Sequence, residues 1–163
     1  MISLVEISVL VDAGLEWCPD AGWLQNVAKQ VLFAQNVGLG VELGLVITSQ
    51  EKVQELNRSY LGRDMPTDVL AFSMLPQPNT DRDLSPFVQP PDGVLHLGEV
   101  IISYPQAVIQ SEEHRHSVKK EIAILIIHGV LHLLGYEHDK PELEREMRAR
   151  EAEILSHIEE DLK

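Results

Sequence analysis

Hydrophobic and polar residues alternate with a period of two in several short segments, as is typical of β-strands that bury one face. The alternation predicts a strand over residues 2–11 and a second over 41–48. Two further strands are predicted over 67–74 and 95–103. We therefore expect four strands, and the sequence leaves their order in a sheet open.

Apolar residues recur at helical spacing between the first three of these strands. The spacing predicts a helix over residues 20–36 and another over about 49–60 that ends near Gly62. Thr48 is followed three residues later by Glu51, which is the spacing of a capping box. We therefore expect Thr48 to cap the second helix.

Three more helices are predicted in the second half of the chain. A short one follows Pro105, one covers 117–134, and a charged amphipathic one runs from 139 to about 159. The middle helix is apolar on nearly every face, which predicts a central position. The order β-α-β-α-β-β-α-α-α predicts an α/β (α+β) fold, with one mixed, about four-stranded sheet in a single domain over residues 1–163.

Composition and charge narrow the class of protein. The chain has 163 residues, of which 44% are hydrophobic, so it is long enough for one core and too apolar for extended disorder. Five prolines in residues 75–94 predict a long exposed loop. The formal net charge of −13 argues against holding nucleic acid on a broad basic surface, although a local group of cations remains compatible with it.

The location of the protein is predicted from features that the sequence lacks. No segment resembles a membrane span, and residues 1–6 lack the basic start of a secretory signal. A lone cysteine, Cys18, cannot form an intramolecular disulfide and has no nucleophile motif around it, so we expect a packing or surface thiol. These features favour the cytoplasm.

Three histidines, His128, His132 and His138, form the pattern that carries the chemistry. In a helix the first two lie about 40° apart around the axis and about 6 Å apart along it, so both imidazoles can face one ion. Gly135 can adopt the left-handed conformation that ends a helix and returns His138 to the same point. The spacing predicts a site for one zinc ion, and nickel or copper would also bind.

Two other interpretations of these histidines remain open. Each could be an individually hydrogen-bonded core or surface residue, although burial of two imidazoles without partners would cost a few kcal/mol. Three nitrogen ligands leave an open position, as in catalytic zinc sites. A structural site would need a fourth ligand, for which Asp139, Cys18 and Glu99 are candidates.

The same histidine spacing occurs in metzincin proteases, where a glutamate directly follows the first histidine and acts as general base. Gly129 stands at that position. The sequence therefore argues against peptide hydrolysis.

Three blocks of the sequence resemble a known family. The run from His128 to His138, which reads HGVLHLLGYEH, resembles the signature of the YbeY-type endoribonucleases, bacterial rRNA maturation factors. The blocks ELNRSY leading into PTDVLAF, and LGEVIIS, agree with it in the same order. Together they cover about residues 41–139.

The resemblance implies a mixed four-stranded sheet with the first two histidine ligands on a central helix. It also implies a metal-dependent endoribonuclease that cleaves single-stranded RNA in 16S rRNA 3′-end maturation and ribosome quality control. The expected partners are rRNA, the small ribosomal subunit and its proteins. Neither DNA nor a membrane is expected as a partner.

Leu61 departs from the family pattern, because an arginine usually stands there. We expect Arg63 to take over as the catalytic cation that offsets charge in the transition state, and Arg58 to be a weaker substitute. Lys119 and Lys120, at the start of the central helix, are candidates for binding the phosphate backbone. Each of these four cations could instead be an ordinary solvated surface charge.

The general base and the nucleophile stay open. Glu99 and Asp68 are candidates for the base because they fall in the matching blocks. The nucleophile is either a metal-activated water, which leaves a 5′-phosphate, or the 2′-hydroxyl of the substrate, which leaves a 2′,3′-cyclic phosphate. Two rival functions are a zinc-binding ribosome assembly factor without catalysis and a hydrolase of small phosphoesters.

The remaining histidines are His96, His114, His116 and His157. We expect all four to be ordinary surface or loop residues. The pair His114 and His116 is the one whose position most needs checking against the metal site.

Overall fold

A computed structural model describes most of the chain. The described residues are 5–12, 19–35, 40–62, 67–73, 95–136 and 140–158. The proline-rich segment predicted as a loop, residues 75–94, lies entirely outside them, as does Cys18.

The helices and strands follow in the predicted order. The strands are β1 (Val5–Val11), β2 (Val41–Thr48), β3 (Val69–Ser73) and β4 (Leu95–Ser103). The helices are α1 (Ala21–Ala34), α2 (Gln50–Leu61), α3 (Tyr104–His114), α4 (Val118–Leu133) and α5 (Pro141–Ile158). β2 and β4 have the predicted bounds, whereas α3 begins just before Pro105 rather than after it.

The four strands form one mixed sheet in the order β1-β2-β4-β3. β1 and β4 both lie parallel to β2, and β3 lies antiparallel to β4 at the edge. The predicted fold class is therefore confirmed, and the structure supplies the strand order that the sequence left open.

Side chains on the two faces of the sheet contribute to different cores. Val100 and Ile102 of β4 belong to the large core that includes residues of α1, α4 and α5. Ile101, between them, packs instead with Leu70 of β3 and Val53 of α2. Because successive strand residues point to opposite faces, α2 covers the face opposite α4.

The capping box predicted at Thr48 is wrong by one residue. Ser49 is the N-cap of α2, and its hydroxyl accepts a hydrogen bond from the Lys52 backbone N–H at 3.2 Å. Thr48 is the last residue of β2, and its hydroxyl donates to Asp12 Oδ2 at 2.8 Å. The helix begins later because the sheet ladder extends through Thr48, which pairs with Ser103 of β4.

Helix α4 is central, as its apolar composition predicts. It packs against α1, α3, α5, β3 and β4, and most of its side chains are buried. It approaches the sheet closely at Gly129, where an added Cβ would lie 2.5 Å from Val100 Cγ1. Within the described ranges, no helix combines the length and hydropathy that a bilayer span requires.

We expect Gly129→Ala to lower the free energy of unfolding by about 1–3 kcal/mol, because the added methyl group overpacks the contact with Val100. Helix propensity alone would favour alanine by about 1 kcal/mol, so the sign of the change separates the two effects. Urea denaturation followed by circular dichroism measures it.

The control is the same substitution in a Val100→Ala background, which removes both Cγ atoms that the new methyl would meet. In that background Gly129→Ala should cost much less or stabilise the protein. If Gly129→Ala stabilises the wild-type chain, Gly129 does not pack closely against Val100.

Candidate functional site

Helix α4 brings His128 and His132 together one turn apart, as predicted. Their Nε2 atoms lie 3.1 Å apart, and their ring centroids lie 4.5 Å apart with the planes at 75°. Two nitrogen ligands of one tetrahedral zinc ion lie roughly 3.3 Å apart, since each is about 2.0–2.1 Å from the metal. The two imidazoles therefore converge at nearly the separation that a shared ion requires.

Glu151 of α5 holds the other side of the His128 ring. Its Oε2 lies 2.8 Å from His128 Nδ1, and both side chains are partly buried. A carboxylate that accepts the Nδ1 proton fixes the tautomer in which the Nε2 lone pair faces a metal, which is the usual outer-shell arrangement in zinc sites. The sequence gives no signal for Glu151, because it lies on another helix and nothing in its local pattern distinguishes it.

The end of α4 reverses at Gly135, as predicted. Gly135 has a φ of +103°, and the backbone N–H groups of Gly135 and Tyr136 donate to the carbonyls of His132 and Leu131, both at 3.0 Å. This is a Schellman motif, which ends a helix and turns the chain back. His138 lies beyond the turn, outside the described residues, and so does Asp139.

The chain after this turn is held by the end of α1 and by α5. Gln35 donates from Nε2 to the Tyr136 hydroxyl at 2.7 Å. Arg150 of α5 donates to Gln35 Oε1 at 2.6 Å and to the Ala34 carbonyl at 3.1 Å. These hydrogen bonds join the ends of α1 and α4 to α5, next to Tyr136, which is two residues before His138 in the sequence.

Of the predicted cations, Arg58 and Lys119 lie away from the two histidines. Arg58 is exposed on α2, which covers the opposite face of the sheet, and Arg63 lies outside the described residues. Lys119 Nζ lies 4.8 Å from the centre of the Trp23 ring. Since Lys119 precedes His128 by nine positions, the two lie on opposite sides of α4, about 180° apart.

Lys120 lies eight residues before His128 on α4, and the candidate acids Glu99 and Asp68 lie on β4 and just before β3. Lys120 is partly buried in the first turn of α4, where its backbone N–H donates to the cap Ser117 at 3.0 Å. Glu99 is exposed and shares its face of β4 with Ile101, on the side that α2 covers. Glu99 therefore does not point toward α4. Asp68 is partly buried, and its backbone carbonyl accepts from the Ser103 N–H at 2.9 Å.

A second group of potential ligands lies at the junction of α3 and α4. Glu121 Oε1 lies 3.0 Å from His114 Nδ1 and 2.6 Å from His116 Nε2. The ligand atoms of the three residues all lie within 4.8 Å of one another, so the group could hold a metal ion. His114 is exposed and His116 lies in the link between the helices, as expected of surface or loop residues, but a buried carboxylate holds both rings, which the sequence did not predict.

The electrostatics of Glu121 depend on these partners. Burial would raise the pKa of the carboxyl, but hydrogen bonds from His114, His116 and Gln110 outweigh it and hold the pKa below its ordinary value. Gln110 Nε2 donates to the second oxygen, Oε2, at 2.9 Å. The sequence signal that could have revealed this group is a glutamate in the most apolar helix, which must find partners when buried.

The other two histidines, His96 and His157, belong to neither of these groups. His96 Nδ1 lies 3.0 Å from Glu42 Oε1, and both side chains are more than one-third exposed. His157 is exposed on α5, as expected.

Comparison with known proteins identifies the family. The family described as Endoribonuclease YbeY matches residues 19–159. A protein named Endoribonuclease YbeY from Dehalococcoides mccartyi is 45% identical over 159 residues, which are 97% of this chain and 92% of the relative. One of the same name from a Roseiflexus species is 43% identical over 83% of this chain and 82% of its own.

The fold also has a counterpart among solved structures. The solution structure of TM1509 from Thermotoga maritima aligns with a TM-score of 0.57 and 21% identity, covering 95% of this chain and 93% of that one. This likeness supports the fold. The family match and the identity to the curated relatives show that the chain belongs to the YbeY endoribonuclease family, whose members cleave RNA.

Proposed function

We propose that the protein is a metal-dependent endoribonuclease, one domain over residues 1–163, that cuts single-stranded RNA during 16S rRNA 3′-end maturation and ribosome quality control. Its ligands for one zinc ion, or another divalent transition metal, are His128, His132 and His138. Its partners are rRNA, the small ribosomal subunit and ribosomal proteins, and its location is the cytoplasm.

The observation that carries the proposal is the convergence of two imidazoles on the central, mostly apolar helix α4. The Nε2 atoms of His128 and His132 lie 3.1 Å apart, and Glu151 lies 2.8 Å from Nδ1 of His128. With its Nδ1 proton donated to Glu151, His128 offers the Nε2 lone pair to the site. The donor set of imidazole nitrogens suits zinc rather than magnesium or calcium.

The chain's own residues have separate tasks in this proposal. A zinc ion bound by the histidines would supply Lewis acidity to the scissile phosphodiester. Glu151 orients His128, and the Gly135 reversal directs the chain toward His138. Arg63 offsets the negative charge that grows on the phosphoryl oxygens in the transition state.

Substrate binding in this proposal uses Arg58, Lys119 and Lys120. Lys119 is the weakest of these candidates, because its ammonium group stacks on Trp23 on the side of α4 opposite His128. For RNA binding, Lys119 would have to leave this ring. A net charge of −13 makes such local cations the means by which the protein would hold a phosphate backbone.

The central prediction concerns RNA cleavage. Untagged protein of known metal content should cut a single-stranded RNA from the 3′ end of precursor 16S rRNA, and His132→Ala should reduce the rate at least about 100-fold, because losing a ligand costs at least as much as losing its outer partner. Gel analysis of the product ends distinguishes a 5′-phosphate from a 2′,3′-cyclic phosphate.

The matched control is His157→Ala, which removes an exposed histidine on α5 and should cut at the wild-type rate. Equal cleavage by wild type and His132→Ala would exclude this site as the source of activity. If the wild type binds metal and cuts neither this RNA nor the assembled precursor subunit, the protein is an assembly factor instead.

A second prediction concerns Glu151. Glu151→Gln removes the carboxylate that polarises His128, and we expect the affinity for zinc to fall about 10–100-fold. Competition with a chromophoric chelator measures the dissociation constant. Glu146→Gln, which changes an exposed carboxylate on the same helix, should leave the affinity unchanged. Equal affinities of the two variants would show that Glu151 does not support the site.

A further inference from the structure

The junction of α3 and α4 gathers three potential ligands that the proposed activity does not use. His114 is the last residue of α3, His116 lies in the link, and Glu121 lies in the first turn of α4. Both imidazoles face the same carboxylate oxygen, at 3.0 and 2.6 Å. The group therefore connects two helices through side chains that are all able to bind metal.

The three side chains differ in their exposure to solvent, which increases from Glu121 through His116 to His114. Glu121 is 2% exposed, His116 is 18% exposed and His114 is 55% exposed. The carboxylate is thus fixed in the interior, while one side of the group is open to an entering ion. Gln110 holds the other carboxylate oxygen at 2.9 Å, so the carboxylate has an outer partner of the kind that orients metal ligands.

The protonation of the two imidazoles bears on whether a cation could bind between them and Glu121. For both rings to donate to Glu121, His114 must carry a proton on Nδ1 and His116 on Nε2. One divalent ion can bind the same three atoms once each neutral ring carries its proton on its other nitrogen, and all three ligand atoms already lie within 4.8 Å of one another. Two imidazoles and one carboxylate suit zinc, cobalt or nickel.

We propose that His114, His116 and Glu121 form a second transition-metal site, which joins the end of α3 to the start of α4. It is separate from the pair on the same helix, because Glu121 precedes His128 by seven residues, a rise of about 10 Å. Two ions that act on one phosphate lie only about 3.5–4 Å apart. The second ion therefore has a structural role, and it stabilises the helix that carries His128 and His132.

The test isolates this site in a His132→Ala background. The metal-free full-length variant is titrated with Co²⁺, followed by its visible absorption, and then with Zn²⁺. We expect one ion per chain, and we expect His114→Ala to weaken its binding at least tenfold. His114 is half exposed, so its truncation disturbs little packing.

Two further variants sharpen the result. Glu121→Gln removes the negative charge that both imidazoles face and should also lower the affinity for the ion at least tenfold. Far-UV circular dichroism verifies that the variant folds. His96→Ala is the matched control, because His96 forms a pair with Glu42 at the same 3.0 Å. It should leave the affinity unchanged.

The outcomes separate this proposal from the proposed function. In the wild-type chain we expect two ions, of which His114→Ala removes one and His132→Ala the other. The second site is excluded if the His132→Ala variant binds no ion at concentrations that saturate the wild type. It is also excluded if His96→Ala lowers the affinity for the ion as much as His114→Ala does. A single ion that depends on His114 and not on His132 would support this site and contradict the proposed one.

Discussion

The contact between Gly129 of α4 and Val100 of β4 determines how the rest of the structure is arranged. A helix that approaches a strand this closely has its rotation about its own axis fixed, since the one face without a side chain must meet the sheet. His128, about 100° from Gly129 around the helix axis, then reaches Glu151 of α5. The same packing explains why no glutamate can follow His128, because the position that serves metzincin proteases as general base is occupied by the sheet.

Two polar side chains on the histidine-bearing side of α4, Glu121 and His128, have hydrogen-bond partners on neighbouring helices. Glu121, His128 and His132 lie within about 40° of one another around the helix axis. Glu121 is held by Gln110 and His114 of α3, and His128 by Glu151 of α5. Burial of these groups without partners would cost a few kcal/mol each, so the helix can be both central and functional only because its neighbours supply hydrogen bonds.

The sequence predicted most of the fold because local patterns determine it. β2 and β4 were predicted at their observed bounds, since alternation over eight or nine residues is unambiguous. The cap of α2 was misplaced because Thr48 and Ser49 are both good caps, and the choice between them depends on how far the β2 ladder extends. Strand order was unreadable because it is set by contacts between distant segments.

The site was predictable to the extent that its residues share one helix. His128 and His132 follow helical spacing, and the Gly135 reversal follows from its residue type. Glu151 and the group around Glu121 were missed because their partners come from other segments, 23 residues away in the first case. Even so, a buried ionisable residue in a mostly apolar helix requires a partner, so Glu121 itself marks a place where neighbouring hydrogen-bond donors are to be expected.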